Sequence, residues 1–355
     1  MAVFTIVGAG MMGSALSVPL ADNGHEVRIV GTPLDLAIIE SLRERGFHPT
    51  LRLELPASVR AYFDGELEAA LSGADAIALG VSSAGVRWAG EALAPYVSRE
   101  RPVFGITKGL AAQDDGLVVL PDALRAHFPE GLRDAVHPGA IAGPCIAGEL
   151  ARRVPTCVVL TGRSPRAELE RLAAQLRNGY YHVFTSTDVV GVEVCAALKN
   201  AYAMGVAFGA GLHEKAGGAP GSIAMHNYES AVFAQATIEM TALVTLLGGR
   251  AETVAGLAGV GDLDVTNNGG RTGRFGRLIG LGLGRDEAIR RMDGATLECL
   301  EILAVLRRAL AAYREGGQLA SDAFPLLEHM AEVALDGANV AMPFARFFGG
   351  AGSLD

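Results

Sequence analysis

The chain has 355 residues, a length typical of about two domains. Its 30 lysine and arginine residues against 39 acidic residues give a formal charge of −9, which argues against binding to nucleic acid or to an anionic membrane, because both need clustered positive charge. With 50% hydrophobic and 19% charged residues, the chain can bury a large core and is not a disordered tail.

The first half of the chain alternates short apolar runs with amphipathic stretches. The apolar runs that predict strands are Val3–Val7, Glu26–Val30, Ala76–Val81, Pro102–Ile106, Ala140–Gly143, Thr156–Thr161 and Tyr181–Thr185. Helices are predicted between them, for example at Ser14–Asn23 and Leu34–Arg45. This alternation is typical of a parallel sheet with helices on both faces.

After Asp188 the composition changes to alanine, leucine, methionine, glutamate and arginine with helical periodicity. We therefore predict an α/β plus all-α protein, with a Rossmann-type doubly wound sheet over residues 1–189 and an all-helical substrate domain over residues 190–355. The longest apolar helical stretch, around Ala231 to Leu247, contains Gln235 and Glu239. It predicts a buried helix rather than a membrane span.

The cysteines and the amino terminus indicate the compartment. The four cysteines, at positions 145, 157, 195 and 299, form no C-x-x-C pair and no zinc-ribbon spacing. This pattern argues against a disulfide framework or a metal site and favours a reducing compartment. The first residues contain no basic region and no small-residue cleavage site, so we expect no signal peptide.

A glycine motif follows the first predicted strand directly and opens a helix. In Gly8–Gly13, the first glycine permits a tight turn, the second allows the backbone to approach a pyrophosphate, and the third allows close packing of helix and strand. The helix amino terminus offers N–H groups and a positive dipole end to phosphates. This context predicts dinucleotide binding, and the alternative is a turn tightened only for packing.

The choice of dinucleotide stays open at this point. A carboxylate that binds the ribose is expected at the end of the second strand. The residues there, Val30 to Pro33, include no acid and no arginine, and Asp35 lies slightly late and fits a helix start. The sequence therefore predicts NAD or NADP without distinguishing them.

Each of the predicted domains contains a lysine that suits catalysis. Lys108 follows the fourth strand, at the sheet edge where ligands bind, although a solvated loop lysine is the alternative. Lys199 lies in an otherwise uncharged run from Val194 to Leu212. A lone cation there must be paired or desolvated. Desolvation lowers the pKa of a lysine toward the range that is useful for proton transfer. A lysine that reaches solvent from a helix edge is the alternative.

A glycine-rich stretch over residues 259–274 contains acids, a hydroxyl and arginines. Such a set suits a small phosphorylated substrate. Arg271 can bind a phosphate through bidentate hydrogen bonds, and Asp262 can orient a catalytic lysine. The alternative is a surface loop with solvated charges.

Taken together, the chain resembles the NAD(P)-dependent glycerol-3-phosphate dehydrogenase family. The motifs that carry the resemblance follow the family's order: Gly8–Gly13, Val81–Ser83, Ile106–Leu110, Ala142–Glu149, Pro155-Thr156, Gly191–Glu193, Ala197–Asn200, Gly256–Asp262 and Gly270-Arg271. The resemblance implies hydride transfer between NAD or NADP and C2 of a polyol phosphate, interconverting sn-glycerol 3-phosphate and dihydroxyacetone phosphate. It identifies the chain as an enzyme and an oxidoreductase.

The resemblance also implies roles for particular residues. Lys199 matches the proton donor or acceptor, Lys108 the second lysine, and Asp262 a catalytic hydrogen-bonding partner. The implied substrate contacts are Gly143, Cys145, Asn200, Thr266, Arg271 and Thr272. The implied cofactor contacts are Gly8, Gly10, Met11, Met12, Gly13, Lys108, Ala147, Arg271 and Asp293.

Several positions depart from the family pattern. Met12 stands where the family mostly has Trp or Phe, Cys145 replaces a serine, Thr272 an asparagine and Gly273 an arginine. The alternatives are therefore a family member that acts on a larger polyol phosphate or a hydroxy acid and, more remotely, a dinucleotide-binding protein without turnover. We also expect a homodimer in the cytoplasm with a part in glycerophospholipid metabolism.

Overall fold

The structure, a computed structural model, describes residues 1–113, 116–221, 224–268, 270–292 and 297–349. The strands in chain order are β1 (Val3–Val7), β2 (Glu26–Val30), β3 (Phe47–His48), β4 (Leu53–Glu54), β5 (Val59–Tyr62), β6 (Ala76–Leu79), β7 (Val103–Gly105), β8 (Leu110–Gln113), β9 (Gly116–Val119), β10 (Gly139–Ala142), β11 (Thr156–Thr161) and β12 (Tyr181–Ser186). The α-helices are α1 (Met11–Asp22), α2 (Leu36–Arg45), α3 (Leu67–Leu71), α4 (Val86–Leu93), α5 (Leu120–Arg125), α6 (Glu130–Arg133), α7 (Ala147–Leu150), α8 (Arg166–Leu176), α9 (Val189–Lys215), α10 (His226–Leu246), α11 (Asp262–Asn267), α12 (Arg271–Gly280), α13 (Arg285–Arg290), α14 (Glu298–Glu315) and α15 (Pro325–Asp336).

The chain divides into two compact units. Unit 1 comprises Met1–Lys108 and Val119–Glu193, and unit 2 comprises Gly109–Val118 and Val194–Asp355. Unit 1 contains a large sheet with helices between its strands, and the described residues of unit 2 are mostly helical. The predicted fold class, a Rossmann-type sheet followed by a helical region, is confirmed.

The sheet of unit 1 has eight strands in the order β12-β11-β10-β7-β6-β1-β2-β5. Neighbouring strands run parallel except β10 and β11, which are antiparallel, so the prediction of a parallel sheet is wrong at this pair. The connection between them contains only the one-turn helix α7, which is too short to cross the sheet, so the chain turns back beside β10.

The central strands are apolar at almost every position because helices cover both faces of the sheet. Phe4, Ile6, Val27, Ile29 and Phe104 are all fully buried in this core. β1 and β6 are parallel neighbours, and later strands are added on the side of β2 in one half of the sheet and on the side of β7 in the other. In open sheets of this kind, ligands bind at the point where the order of the strands changes in this way. A ligand site is therefore expected at the carboxyl ends of β1 and β6.

The most apolar long helix is α9, not the stretch near α10 that the sequence indicated. Among the described helices, α9 is the one long and apolar enough to span a membrane, yet 94% of its apolar window is buried inside the protein. Backbone contact explains part of this burial. A Cβ at Gly276 of α12 would lie 2.3 Å from the Met204 carbonyl oxygen of α9, and one at Gly280 would lie 2.3 Å from that of Phe208. The helix that carries Lys199 is therefore a core element of unit 2.

Candidate active site

The glycine motif lies where β1 ends, in backbone contact with the end of β6. Gly8 has φ +109°, and a Cβ there would lie 2.7 Å from the carbonyl carbon of Gly80. A Cβ at Gly13 would lie 2.3 Å from the Gly8 carbonyl oxygen, and one at Gly80 would lie 2.8 Å from the Gly13 Cα. These glycines therefore interlock. Gly80 was not predicted as part of the site, although its position directly after a buried strand could have indicated it.

Gly10 differs from its neighbours because the fold does not require a glycine there. Its φ of −62° suits any residue, and the nearest atom to an added Cβ would be the Gly80 carbonyl oxygen at 3.7 Å. The missing side chain instead leaves the amino terminus of α1 open, a cradle that a Cβ would fill. A pyrophosphate fits such a site, since the first N–H groups of a helix have no partner within it. Next to it, Met11 is exposed and Met12 packs against the core.

The peptide of Ala9, inside the motif, is held from both sides. Its N–H donates to Asp35 Oδ2 at 3.1 Å, and the same oxygen accepts from the N–H and the hydroxyl of Thr32, each at 2.8 Å. Its carbonyl accepts from Nε2 of the buried His48 at 3.0 Å. His48 Nδ1 accepts from the Leu51 N–H, so the proton of the neutral ring lies on Nε2. Burial lowers the pKa of His48, which keeps the ring neutral.

Asp35 was expected only as a helix-start residue. It does precede α2, but its carboxylate holds the glycine motif and the end of β2. His48 was not predicted, because a lone histidine in a two-residue strand has no local signal.

Lys108 and Gly143 are brought together in unit 1. Lys108 Nζ donates to the Gly143 carbonyl oxygen at 3.2 Å. Gly143 has φ +128° and approaches β11, where an added Cβ would lie 3.1 Å from the Val158 Cα. Farther along the same connection, Cys145 is partly buried against the core and Ala147 is buried at the start of α7. The predicted residues 143, 145 and 147 thus belong to one segment that follows β10.

In unit 2, the structure joins Lys199 to Asp262. Lys199 lies within α9 and is 7% exposed, while Asp262 begins α11 and is fully buried. The lysine Nζ donates a hydrogen bond to Asp262 Oδ1, forming a buried ion pair. A charge in such surroundings needs a partner, and the carboxylate also fixes the position of the lysine amine. The lone cation of the apolar run is therefore paired rather than extended into solvent.

Beside Lys199, the side chain of Asn200 is connected to Arg271 through Glu298. Asn200 Nδ2 donates to Glu298 Oε2 at 2.8 Å, and Arg271 Nη2 lies 4.0 Å from Glu298 Oε1. The Arg271 side chain is about half exposed, so this ion pair is weak and an anionic ligand can compete for the guanidinium. Glu298 was not predicted, because an acid at the start of an amphipathic helix is common.

The structure gives less information on three further predicted residues of unit 2, namely Thr266, Thr272 and Asp293. The Thr266 hydroxyl donates to the Asp262 carbonyl oxygen at 2.7 Å, a bond within its own helix, and Thr272 is buried at the start of α12. Asp293 lies outside the described residues. No group of three or more histidine, cysteine or acidic side chains in the described ranges could hold a metal ion.

Comparison with known proteins identifies the family. Residues 3–167 match the profile described as NAD-dependent glycerol-3-phosphate dehydrogenase N-terminus, and residues 188–344 match the profile described as its C-terminus. The chain belongs to the NAD-dependent glycerol-3-phosphate dehydrogenase family. The predicted resemblance is thereby confirmed, and with it an NAD(P)-dependent oxidoreductase.

Individual members of the glycerol-3-phosphate dehydrogenase family resemble the chain over nearly its whole length. It is 35% identical to the NADP(+)-dependent glycerol-3-phosphate dehydrogenase of Archaeoglobus fulgidus, covering 95% of this chain and 96% of that protein. It is 31% identical to the glycerol-3-phosphate dehydrogenase [NAD(P)+] of Shouchella clausii, covering 94% and 91%. The crystal structure of the glycerol-3-phosphate dehydrogenase of Coxiella burnetii aligns with a TM-score of 0.79 at 26% identity, covering 95% and 96%.

Proposed function

We propose that the protein interconverts sn-glycerol 3-phosphate and dihydroxyacetone phosphate by hydride transfer with NAD or NADP. The observation that carries this proposal is the buried Lys199–Asp262 pair, a proton donor held in place inside a member of this dehydrogenase family. Residues 1–189 are proposed to bind the dinucleotide and residues 190–355 the substrate.

The dinucleotide supplies or accepts the hydride when it is bound. The Gly8–Gly13 motif would hold its pyrophosphate, because Gly10 leaves the amino terminus of α1 open while Gly8 and Gly13 fix the loop. Met11, Met12 and Ala147 are proposed as further contacts, with Asp293 and Arg271 at the family's remaining cofactor positions. Asp35 and His48 hold the Ala9 peptide, and thereby the loop geometry.

Lys199 is proposed as the group that moves the proton. During ketone reduction its ammonium gives a proton to the oxygen that develops on C2, and during alcohol oxidation the amine takes the hydroxyl proton. Asp262 keeps Nζ in position and stabilises the ammonium form. Lys108 supplies a second positive charge, which stabilises the developing alkoxide.

Arg271 is proposed to bind the phosphate of the substrate. Its planar guanidinium can form two parallel hydrogen bonds to a phosphate, a stronger contact than its 4.0 Å pairing with Glu298. Gly143, Cys145, Asn200, Thr266 and Thr272 are the other proposed substrate contacts. The thiol of Cys145 is a weak donor and acceptor, so we expect weaker binding of a small polar substrate than a serine at this position would give.

The decisive assay follows oxidation of NADH or NADPH with dihydroxyacetone phosphate and, separately, with four-carbon keto-phosphates. Lys199→Ala should lose about 10²- to 10⁴-fold in turnover while dinucleotide affinity stays within a few-fold. The double variant Lys199→Met, Asp262→Asn is the matched control, because it removes both buried charges and leaves no unpaired one. It should melt like the wild type and still lack turnover.

Two results would contradict the proposal. A Lys199→Ala variant that keeps more than a tenth of wild-type turnover would refute the proton-transfer assignment. A wild type that reduces only a larger keto-phosphate would refute the substrate while leaving the hydride chemistry intact.

The variant Cys145→Ser, Thr272→Asn should lower the KM for dihydroxyacetone phosphate. Each restored hydrogen bond should strengthen substrate binding by about 1 kcal/mol.

We further propose that the protein is a cytoplasmic homodimer that serves glycerophospholipid metabolism. The family and the charge of −9 support a soluble enzyme of small metabolites. Light scattering of the purified protein should give twice the mass of the chain, and a monomer at micromolar concentration would refute the dimer.

A further inference from the structure

Unit 1 contains a buried acid that the proposed reaction does not use. Glu193, near the start of α9, is 1% exposed, and neither of its carboxyl oxygens has a hydrogen-bond partner in the described part of the chain. Buried polar groups are paired in the great majority of cases, because leaving one unpaired is costly. This exception therefore needs an explanation beyond packing.

The Glu193 side chain borders a small cavity at the carboxyl end of β7. The cavity is about 20 Å³, enough for one water molecule, and its walls include Leu79, Val86 and Leu124. Thr107, the residue before Lys108, lines the same cavity. Glu193 therefore borders the same space as the residue before Lys108, in apolar surroundings that do little to stabilise an ionised carboxyl.

Burial and the charges of two neighbours control the ionisation of Glu193. Burial raises its pKa to about 8, the Lys108 ammonium opposes this shift, and the Asp122 carboxylate on α5 adds to it. Asp122 is itself paired with Arg163 at 2.6 Å, which offsets part of its negative field. Whether Glu193 holds a proton near pH 8 thus depends on the net charge beside Lys108.

We propose that Glu193 is a positioning residue that acts through Lys108, taking up a proton when an anion neutralises the lysine and releasing it when the anion leaves. The proton moves between solvent and one carboxyl oxygen, and no other bond changes. This exchange keeps the balance of charge around Lys108 constant, because the carboxylate becomes neutral when the ligand brings its own negative charge. The identity of the anion, a substrate phosphate or alkoxide, rests on the proposed function, whereas the titration of Glu193 does not.

The first test measures the titration in the protein without ligand. Carbon-13 NMR of protein labelled at the glutamate carboxyl should show one resonance that titrates near pH 8 and is missing in Glu193→Gln, or in Glu193→Leu should the first variant fail to fold. Lys108→Met should move this titration to higher pH, with roughly tenfold tighter proton binding, and Asp122→Asn should move it to lower pH. These shifts would show that the Glu193 carboxyl responds to the charge of Lys108, and the ligand-linked proton uptake measured in the second test then separates the proposed role from a purely structural one. A midpoint near the ordinary glutamate value, or one that neither variant moves, would overturn the proposal.

The second test measures the coupling to ligand. Calorimetric titration of dihydroxyacetone phosphate into the NAD-saturated protein at pH 8, in buffers of different ionisation enthalpy, reports the protons taken up. The wild type should take up as much as about half a proton more than Glu193→Gln, because half of the carboxyls are ionised when the pH equals the pKa. Equal uptake in both proteins overturns the coupling. Failure of dihydroxyacetone phosphate to bind overturns the proposed function instead, and the NMR shifts then still decide the role of Glu193.

Discussion

Substitution of alanine at Gly10 and at Gly13 should separate dinucleotide binding from folding. At Gly13 the added Cβ would lie 2.3 Å from the Gly8 carbonyl oxygen, a backbone atom, and well inside the 3.0 Å below which such contacts essentially never occur. The loop and α1 must therefore move apart, at a cost of about 1–3 kcal/mol. For a unit of this size the melting temperature should fall by roughly 2–12 °C.

The Gly10→Ala protein should fold normally and bind the cofactor poorly. The new methyl group would have its nearest neighbour at 3.7 Å, and φ of −62° suits alanine, so stability should change by no more than about 1 kcal/mol. The methyl would occupy the space of the pyrophosphate, and loss of a charge-assisted hydrogen bond costs about 1.5–3 kcal/mol. The Kd for NADH or NADPH should therefore rise about 10- to 100-fold.

The assay pairs thermal melting with fluorescence titration of NADH and NADPH for wild type and both variants. Gly13→Ala should lose stability and affinity together, whereas Gly10→Ala should lose affinity alone. A Gly10→Ala protein that binds both dinucleotides within twofold of wild type would refute the placement of the pyrophosphate. A Gly13→Ala protein that melts like the wild type would refute the interlocked packing of the loop.

Two further predictions concern the phosphate contact and the histidine behind the loop. Arg271→Ala should raise the KM for dihydroxyacetone phosphate with little change in kcat. Arg271→Lys should restore binding only in part, since lysine lacks the planar guanidinium. An unchanged KM in Arg271→Ala would mean that the phosphate binds elsewhere. Because burial lowers the pKa of His48, the unfolded chain binds the proton first and stability should fall as the pH drops below 6.5. Urea unfolding at pH 5 and pH 7 should show a smaller pH difference for His48→Gln than for wild type, and equal differences would contradict this.

The sheet was largely predictable from sequence because its central strands are covered on both faces. β1, β2 and β11 begin and end at the residues predicted for them. The short strands β3, β4 and β5 were missed, since two to four residues are too few to show a distinctive pattern. The antiparallel turn between β10 and β11 was also missed, because strand direction depends on what the connection contains rather than on the strands themselves.

The pairing of Lys199 illustrates which parts of a site the sequence can predict. A lone cation in an apolar run must find a partner, so the need for an acid was evident, and Asp262 was identified among the acids of a glycine-rich stretch. The sequence around Glu298 and around His48 does not indicate that either side chain requires a particular partner. Each is an ordinary residue in its own segment, and its importance arises only from the approach of Asn200 or of Ala9 in the folded chain.

The buried Lys199 and the buried Glu193 differ in whether another group pairs with them, and the difference indicates where function outweighs stability. In unit 2 the buried lysine has a buried carboxylate, so neither charge is left alone. In unit 1, Glu193 has no hydrogen-bonding partner among the described residues, although a leucine could fill similar space at lower cost. Sequences that specify a fold satisfy their polar groups, and exceptions concentrate at functional sites. The unpaired acid therefore favours a role for Glu193 in the chemistry at Lys108 over a role in the core.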